Sequence, residues 1–196
     1  RYMPMGNVRI DLHNDAAASD YLRTLDIRRG VARVEYNAGG VKYARETFVS
    51  HPDGVVVMKF SADRKGVLNL DLGFDTPLQY ETYADGKCLV ASGYAPYDKD
   101  YSYDPERGTR FAVRMRICRT DGEVSYTDTS ALLRNASEAV LVISGATSFN
   151  GFDKHPVNEG ARYIEQAADD AWHLVNYSYD QLRERHIADY KAIYDR

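Results

Sequence analysis

The sequence predicts a mainly β protein: one large antiparallel β-sandwich followed by a C-terminal helical segment. Three observations carry this reading. From residue 7 to about 147, short apolar runs alternate with polar residues at a period of two. Gly, Asp and Pro clusters interrupt these runs every eight to twelve residues or so, the spacing of antiparallel strands rather than of alternating β/α units. After residue 158 the apolar period changes to that of a helix. A single open sheet of about ten strands would leave one apolar face in water, so at least two facing sheets are required.

The elements follow in order. Strands are read at Val8, Ile10 and Leu12, at Leu22 and Leu25 to Ile27, and over 31–36, 41–49, 55–60 and 67–74. Turns are read at Arg29-Gly30, Ala38-Gly39-Gly40, Pro52-Asp53-Gly54, Asp85-Gly86 and Asp121-Gly122. Gly39-Gly40 between two β-patterned runs predicts a tight hairpin, because glycine accepts positive φ without steric cost. Ile164, Ala168, Ala171 and Val175 step by helical spacings, and Ser178 with Gln181 resembles a capping box opening a second helix. Leu182, His186, Tyr190 and Ile193 fall on one side of that helix. Residues 1–157 are thus expected to form the β-domain and 158–196 a helical linker. The first helix is expected to dock on the sandwich through Trp172, the only tryptophan, whose removal would then cost ~3–5 kcal/mol. The second helix is expected to project, to fray, or to bury its apolar side against another chain in place of the barrel. His186 and Asp189, at i and i+3, read better as a hydrogen-bonded pair fixing the helix to a neighbour than as metal ligands, because no third or fourth ligand stands nearby.

With 196 residues, 44% of them hydrophobic and 28% charged, the chain holds enough apolar material for a real core. A net charge of −4 argues against a nucleic-acid partner, which selects a basic stripe. Eighteen consecutive apolar residues occur nowhere, so no membrane-spanning helix is expected. Arg1 to Gly6 lack an apolar h-region, and the last residues still follow a helical pattern, so the chain is expected to be part of a longer one. Arg107, Arg110, Arg114, Arg116 and Arg119 form the densest basic run. Arg110, Arg114 and Arg116 share one strand parity and are expected on a solvated sheet face. Cys88 and Cys118 have no metal-ligand spacing; two buried free thiols is the simpler reading, with a disulfide as the alternative.

Two segments stand out as candidate sites. Tyr94, Tyr97, Tyr101 and Tyr103 alternate with Asp98, Asp100, Asp104 and Glu106 in an expected long loop. Tyrosine offers a flat apolar face and a polar tip, which suits both domain interfaces and sugar stacking; an interface or structural role carries more weight than sugar contact. The second segment, Ala146 to Asp153, contains Phe149, Asn150, Phe152 and Asp153. Ser148 within it lacks a Gly-x-Ser-x-Gly elbow and an identifiable base, so a structural role outweighs a nucleophilic one. Both aromatic loops are expected at the same end of the sandwich. His13 and His51 receive no role.

The run Tyr2-x-Pro4-x-Gly6-Asn7-Val8 resembles a segment of glycoside hydrolase family 95, known mainly for inverting 1,2-α-L-fucosidases. Further runs are similar in order and spacing: Tyr21-x-x-x-Leu25-Asp26-Ile27 with Gly30-Val31-Ala32; Gly40-Val41-x-Tyr43-x-Arg45-Glu46-x-Phe48; the 146–153 run; and Leu182, His186-x-x-Asp189-Tyr190 and Arg196. The resemblance implies a β-supersandwich and helical linker that precede an (α/α)6 catalytic barrel, with a further segment upstream. It places the catalytic residues in the barrel, so none is carried onto this chain, which is expected to be inactive alone. It also implies docking on that barrel as the partner, fucosylated glycan as the parent enzyme's substrate, a periplasmic or extracellular setting, and no cofactor. The alternative reading is an independent carbohydrate-binding module that uses loop 94–106.

Overall fold

The protein is described here by a computed structural model covering residues 3–196, apart from the side chains of His173 and Val175. Tyr2 of the opening run and the Val175 side chain of the helical stripe therefore lie outside the described residues. The strands in chain order are β1 (Asn7–Asp11), β2 (Ser19–Asp26), β3 (Val31–Ala38), β4 (Val41–Ser50), β5 (Val55–Ala62) and β6 (Leu68–Asp75). They continue with β7 (Gln79–Asp85), β8 (Cys88–Tyr94), β9 (Arg110–Thr120), β10 (Glu123–Tyr126), β11 (Ala131–Ala136) and β12 (Glu138–Thr147). Helix α1 (Tyr163–Trp172), a 3-10 turn (His173–Asn176) and helix α2 (Tyr179–Tyr194) follow.

Two antiparallel sheets form the sandwich. The smaller has four strands in the order β1-β6-β11-β10, and the larger has eight in the order β2-β3-β4-β5-β12-β9-β8-β7. Between them lies the main core: Leu68, Leu70, Leu72, Phe74 and Leu133 of the small sheet against Phe60, Leu89, Phe111, Met115 and Leu141 of the large one. Strand parity sends alternate residues to opposite faces, and a second cluster covers the outer face of the large sheet. There Val31, Phe48, Val55, Val57, Val140 and Val142 meet Leu174, Tyr179 and Leu182 of the helical segment. Strand β12 is therefore buried on both faces, which is why Ala139 to Ile143 is continuously apolar rather than alternating.

The hairpin between β3 and β4 forms as the sequence predicts. Ala38 pairs with Val41, and Gly39 and Gly40 turn at φ of 58° and 72°, as a two-residue loop with positive φ at both positions requires. The capping box is also present: Ser178 Oγ accepts from Gln181 N at 3.2 Å, and Ser178 N donates to the Gln181 side chain at 2.8 Å.

The helices correct the sequence reading in two respects. Helix α1 buries Ala167 and Ala171, while Ile164 is exposed and Trp172 is 69% exposed. Alanines let the helix lie close on β9 and β12, where the Ser144 hydroxyl donates to the Ala167 carbonyl at 2.6 Å; a tryptophan on that face would hold it off. Trp172 instead points outward with the Arg116 guanidinium 5.0 Å from its ring centroid. Helix α2 does not project. Tyr179, Leu182 and His186 are buried against the sheet, and Phe48 stacks on His186 at 4.8 Å between ring centroids.

The arginine face is corrected as well, because α1 overlies it. Arg116 is only 7% exposed, and Arg114 pairs with Asp85 at 2.8 Å. His13 and His51 each have a partner, Asp71 at 3.0 Å and Asp189 at 3.3 Å. Both cysteines are free; burial pushes the Cys118 thiol up to about 11.

Candidate functional site

Strand β8 ends with Tyr94 opposite Arg110, where β9 begins, and β12 ends with Thr147 opposite Phe111. Segments 95–109 and 148–162 therefore leave the large sheet side by side at one end, as expected. Turns 27–30 and 51–54 lie at the same end, since Val31 pairs with Asp26 and Val55 with both Ser50 and Ser144.

Ser148 ties the two long segments together. Its backbone N–H donates to Arg110 O at 2.8 Å, its hydroxyl accepts from Arg110 N at 2.9 Å, and its carbonyl accepts from Ala161 N at 3.0 Å. The side chain is fully buried, so this serine is a joint between segments, in keeping with the structural reading of it. Asn150 adds a second tie, donating to Glu159 O at 2.9 Å. Phe149 is exposed and Phe152 is 99% exposed, with Asp153 exposed beside it.

The tyrosine loop is ordered by its own carboxylates. Asp98 accepts from the N–H groups of Asp100 and Ser102, both at 2.9 Å, and Asp104 accepts from Glu106 N at 2.9 Å. The backbone N–H of Ser102 is the main cause holding the Asp98 carboxyl below the usual range. Tyr94 and Tyr103 meet edge to face at 6.1 Å, and the Tyr103 hydroxyl donates to Pro77 O at 3.3 Å. Tyr97 carries the Arg107 guanidinium 3.8 Å from its ring centroid. Tyr97 and Tyr101 are exposed at the loop surface. The four tyrosines thus divide into an inner pair that braces the loop and an outer pair exposed at its surface.

Helix α2 is fastened to the neighbouring turns by contacts that sequence reasoning missed. His186 and Asp189 do not pair with each other. His186 Nε2 lies 2.9 Å and 3.1 Å from the carbonyls of Arg29 and Gly30, so this nitrogen carries the proton, and Asp189 meets His51. Tyr190 donates to Ile27 O at 2.9 Å. Gly30, at φ 63°, lets the helix approach, since a Cβ there would stand 3.0 Å from the Tyr190 ring. Glu46 receives the Tyr179 hydroxyl and Arg183 Nε at 2.8 Å, and the buried Asp53 receives Ser50 and Arg185. Burial alone would raise the Glu46 carboxyl, yet Tyr179, Arg183 and Arg33 outweigh it and hold the group low; burial, with Glu46 beside it, pushes the Tyr179 phenol up. Glu46 and Asp53 are separated from their partners on α2 by 132 to 137 positions, so no local pattern announces them. Among the described residues no three His, Cys, Asp or Glu side chains are grouped as metal ligands.

Residues 1–151 match the family model described as glycosyl hydrolase family 65, N-terminal domain. The chain belongs to that family. Curated relatives of this N-terminal domain include a protein named alpha-L-fucosidase 2 from Arabidopsis thaliana, 25% identical over 100% of this chain and 25% of the relative. A probable alpha-fucosidase A from Aspergillus oryzae is 24% identical over 96% of this chain and 26% of its own. The chain spans about a quarter of the length of these relatives. Among solved structures, a putative kojibiose phosphorylase from human microbiome superposes with a TM-score of 0.62 at 12% identity, covering 98% of this chain and 28% of that one. That likeness concerns the fold. The chain carries the N-terminal β-domain of that glycosyl hydrolase family.

Proposed function

We propose that this N-terminal domain is non-catalytic and serves an α-L-fucosidase-like parent enzyme by docking on its catalytic barrel through the end that carries segments 95–109 and 148–153. The observation that carries the reading is the concentration of exposed aromatic groups on one braced end. Phe149, Phe152, Tyr97 and Tyr101 are exposed beside joints made by Ser148, Asn150, Asp98 and Asp104. Aromatic side chains on a rigid support are the usual anchors of protein interfaces. The finer assignment, to the fucosidase family 95, rests on the sequence runs quoted above and on the names of the curated relatives. In this reading residues 1–157 are the β-domain and 158–196 the linker, even though the linker helices lie on the sheet.

Catalysis then resides outside the chain. The isolated domain is expected to release no fucose from 2′-fucosyl-lactose above a buffer blank. Docking is tested in the full-length protein with the pair Phe149→Ala and Phe152→Ala. Because both side chains are exposed in the domain, its own stability is expected to hold, while the joint unfolding of domain and barrel separates into two transitions. A single unchanged transition would overturn the docking reading. The carbohydrate-module alternative has less support, because Tyr97 is capped by Arg107 and the ring of Tyr103 abuts Tyr94, leaving fewer free faces for stacking. Glycan binding by the isolated domain that is abolished by Tyr97→Ala would favour it instead.

A further inference from the structure

The helices do not cover the outer face of the large sheet evenly. Helix α1 lies over β9 and β12, and α2 lies against β4. Strand β8 and the edge strand β7 lie beside α1 rather than under it. Leu89 and Ala91 of β8 enter the core, so Val90, Ser92 and Tyr94 point to the outer face. The register sets Tyr83 opposite Val90, Glu81 opposite Ser92 and Gln79 opposite Tyr94.

These residues bound a groove of about 520 Å³, within the size range of small-molecule sites. Its floor is β7 and β8, and one wall is the start of α1, with Tyr163 and Ile164. Tyr83, Tyr94 and Tyr163 supply rings to it. The Gln79 amide, the Glu81 carboxylate and the Ser92 hydroxyl have no hydrogen-bond partner among the described residues. Arg110 closes one end of the groove. Its Nη2 donates to Pro105 O at 2.9 Å, but its Nε is buried and unpartnered. Glu106 lies 3.6 Å from the same guanidinium. With Glu81 also present, the groove offers an anion no surplus of positive charge.

We propose that this groove binds a neutral oligosaccharide, at a site separate from catalysis and from the exposed tyrosines of loop 94–106. A sugar presents apolar C–H faces and a rim of hydroxyls. Tyrosine rings suit the faces. Amide, carboxylate and guanidinium groups, each able to bond two hydroxyls at once, suit the rim. Tyr83 and Gln79 stand four residues apart on β7, a span of ~13 Å, so the groove takes a short chain rather than one sugar. Gln79, Tyr94 and Arg110 lie at the end of the sheet where segment 95–109 departs. A chain held in the groove therefore points toward the end proposed to dock. Failure of the groove leaves the docking reading untouched, since that is tested at Phe149 and Phe152.

The test is hydroxyl-radical labelling of the full-length protein with 2′-fucosyl-lactose, cellotetraose or maltotetraose. Each is used at about 10 mM, roughly tenfold above a millimolar Kd. At least one of these sugars is expected to lower the labelling of Tyr83 and Tyr163 about threefold or more, with Tyr97 and Tyr101 unchanged. Glu81→Ala, at an exposed position, is expected to keep the urea midpoint and to weaken that protection. Tyr163→Ala is expected to abolish it at Tyr83. Unchanged labelling with every sugar would overturn the proposal, as would protection at Tyr97 and Tyr101 instead. So would protection that survives both substitutions, or shielding of Tyr83 and Tyr163 before sugar is added.

Discussion

Helices α1 and α2 lie on the same outer face of the large sheet but are held there by different means. Helix α1 is seated by small residues, Ala167 and Ala171, with one hydroxyl bond from Ser144. Helix α2 combines a buried leucine with a set of charged and carbonyl contacts: Glu46 with Arg183 and Tyr179, Asp53 with Arg185, and His186 with the 29–30 turn. The helix with the larger aromatic side chain is thus the one that depends least on it. Closeness of approach fastens α1, and directional polar contact fastens α2.

The largest expected effect is at Leu182. Truncation to Ala at this fully buried position is expected to cost about 3 kcal/mol, seen as a lower urea midpoint with unchanged slope. A loss near zero would mean that α2 is held by its polar contacts alone. Next comes Glu46→Gln, which keeps the shape but removes the charge from Arg183 and Arg33. Hydrogen bonds to charged groups contribute ~1.5–3 kcal/mol, so a loss of about 2 kcal/mol is expected.

The same group gives a pH signature. The folded-state pKa of Glu46 is depressed, so its contribution is fully present above the unfolded value of 4.5 and fades as pH falls through the folded value. Between pH 7 and 3 the wild type should therefore lose more stability than Glu46→Gln. Equal losses would separate Glu46 from the fastening of α2.

A smaller effect is expected at Trp172, where Ala should cost about 1 kcal/mol or less, the scale of an exposed cation–π contact. A loss above 3 kcal/mol would restore the anchor that the sequence suggests. Finally, hydrogen exchange across 182–190 should be as slow as across 165–171; fast exchange confined to α2 would show that its polar contacts do not hold it down.

Much of the sandwich is legible in the sequence because its rules are local. Period-two alternation, the Gly39-Gly40 turn and the Ser178–Gln181 cap each need only neighbouring residues. What escapes the sequence depends on partners far along the chain. Arg116 has the parity of a solvated face, and nothing near it reveals that α1, which begins 47 positions later, covers that face. The stripe on α1 is misread for a related reason: size ranks Trp172 as the anchor, whereas the contact with the sheet selects alanine. At the candidate site, the two aromatic segments are visible as composition. Their common end is expected from that composition alone, and the pairing of β12 and β8 on either side of β9 supplies the physical reason.

That placement has a consequence for how the chain reaches its native state. Strands β2 to β5 form one meander and β7 to β9 another, each from neighbours in sequence, and β12 inserts between β5 and β9 to join them. During synthesis both meanders can assemble early, but each carries an open apolar edge until residue 147 has emerged and paired. Contacts of such long sequence separation slow the search for the native fold, and open edges during the delay invite pairing with other chains. The last of these twelve strands to be made is therefore the one whose arrival ends the exposure of both.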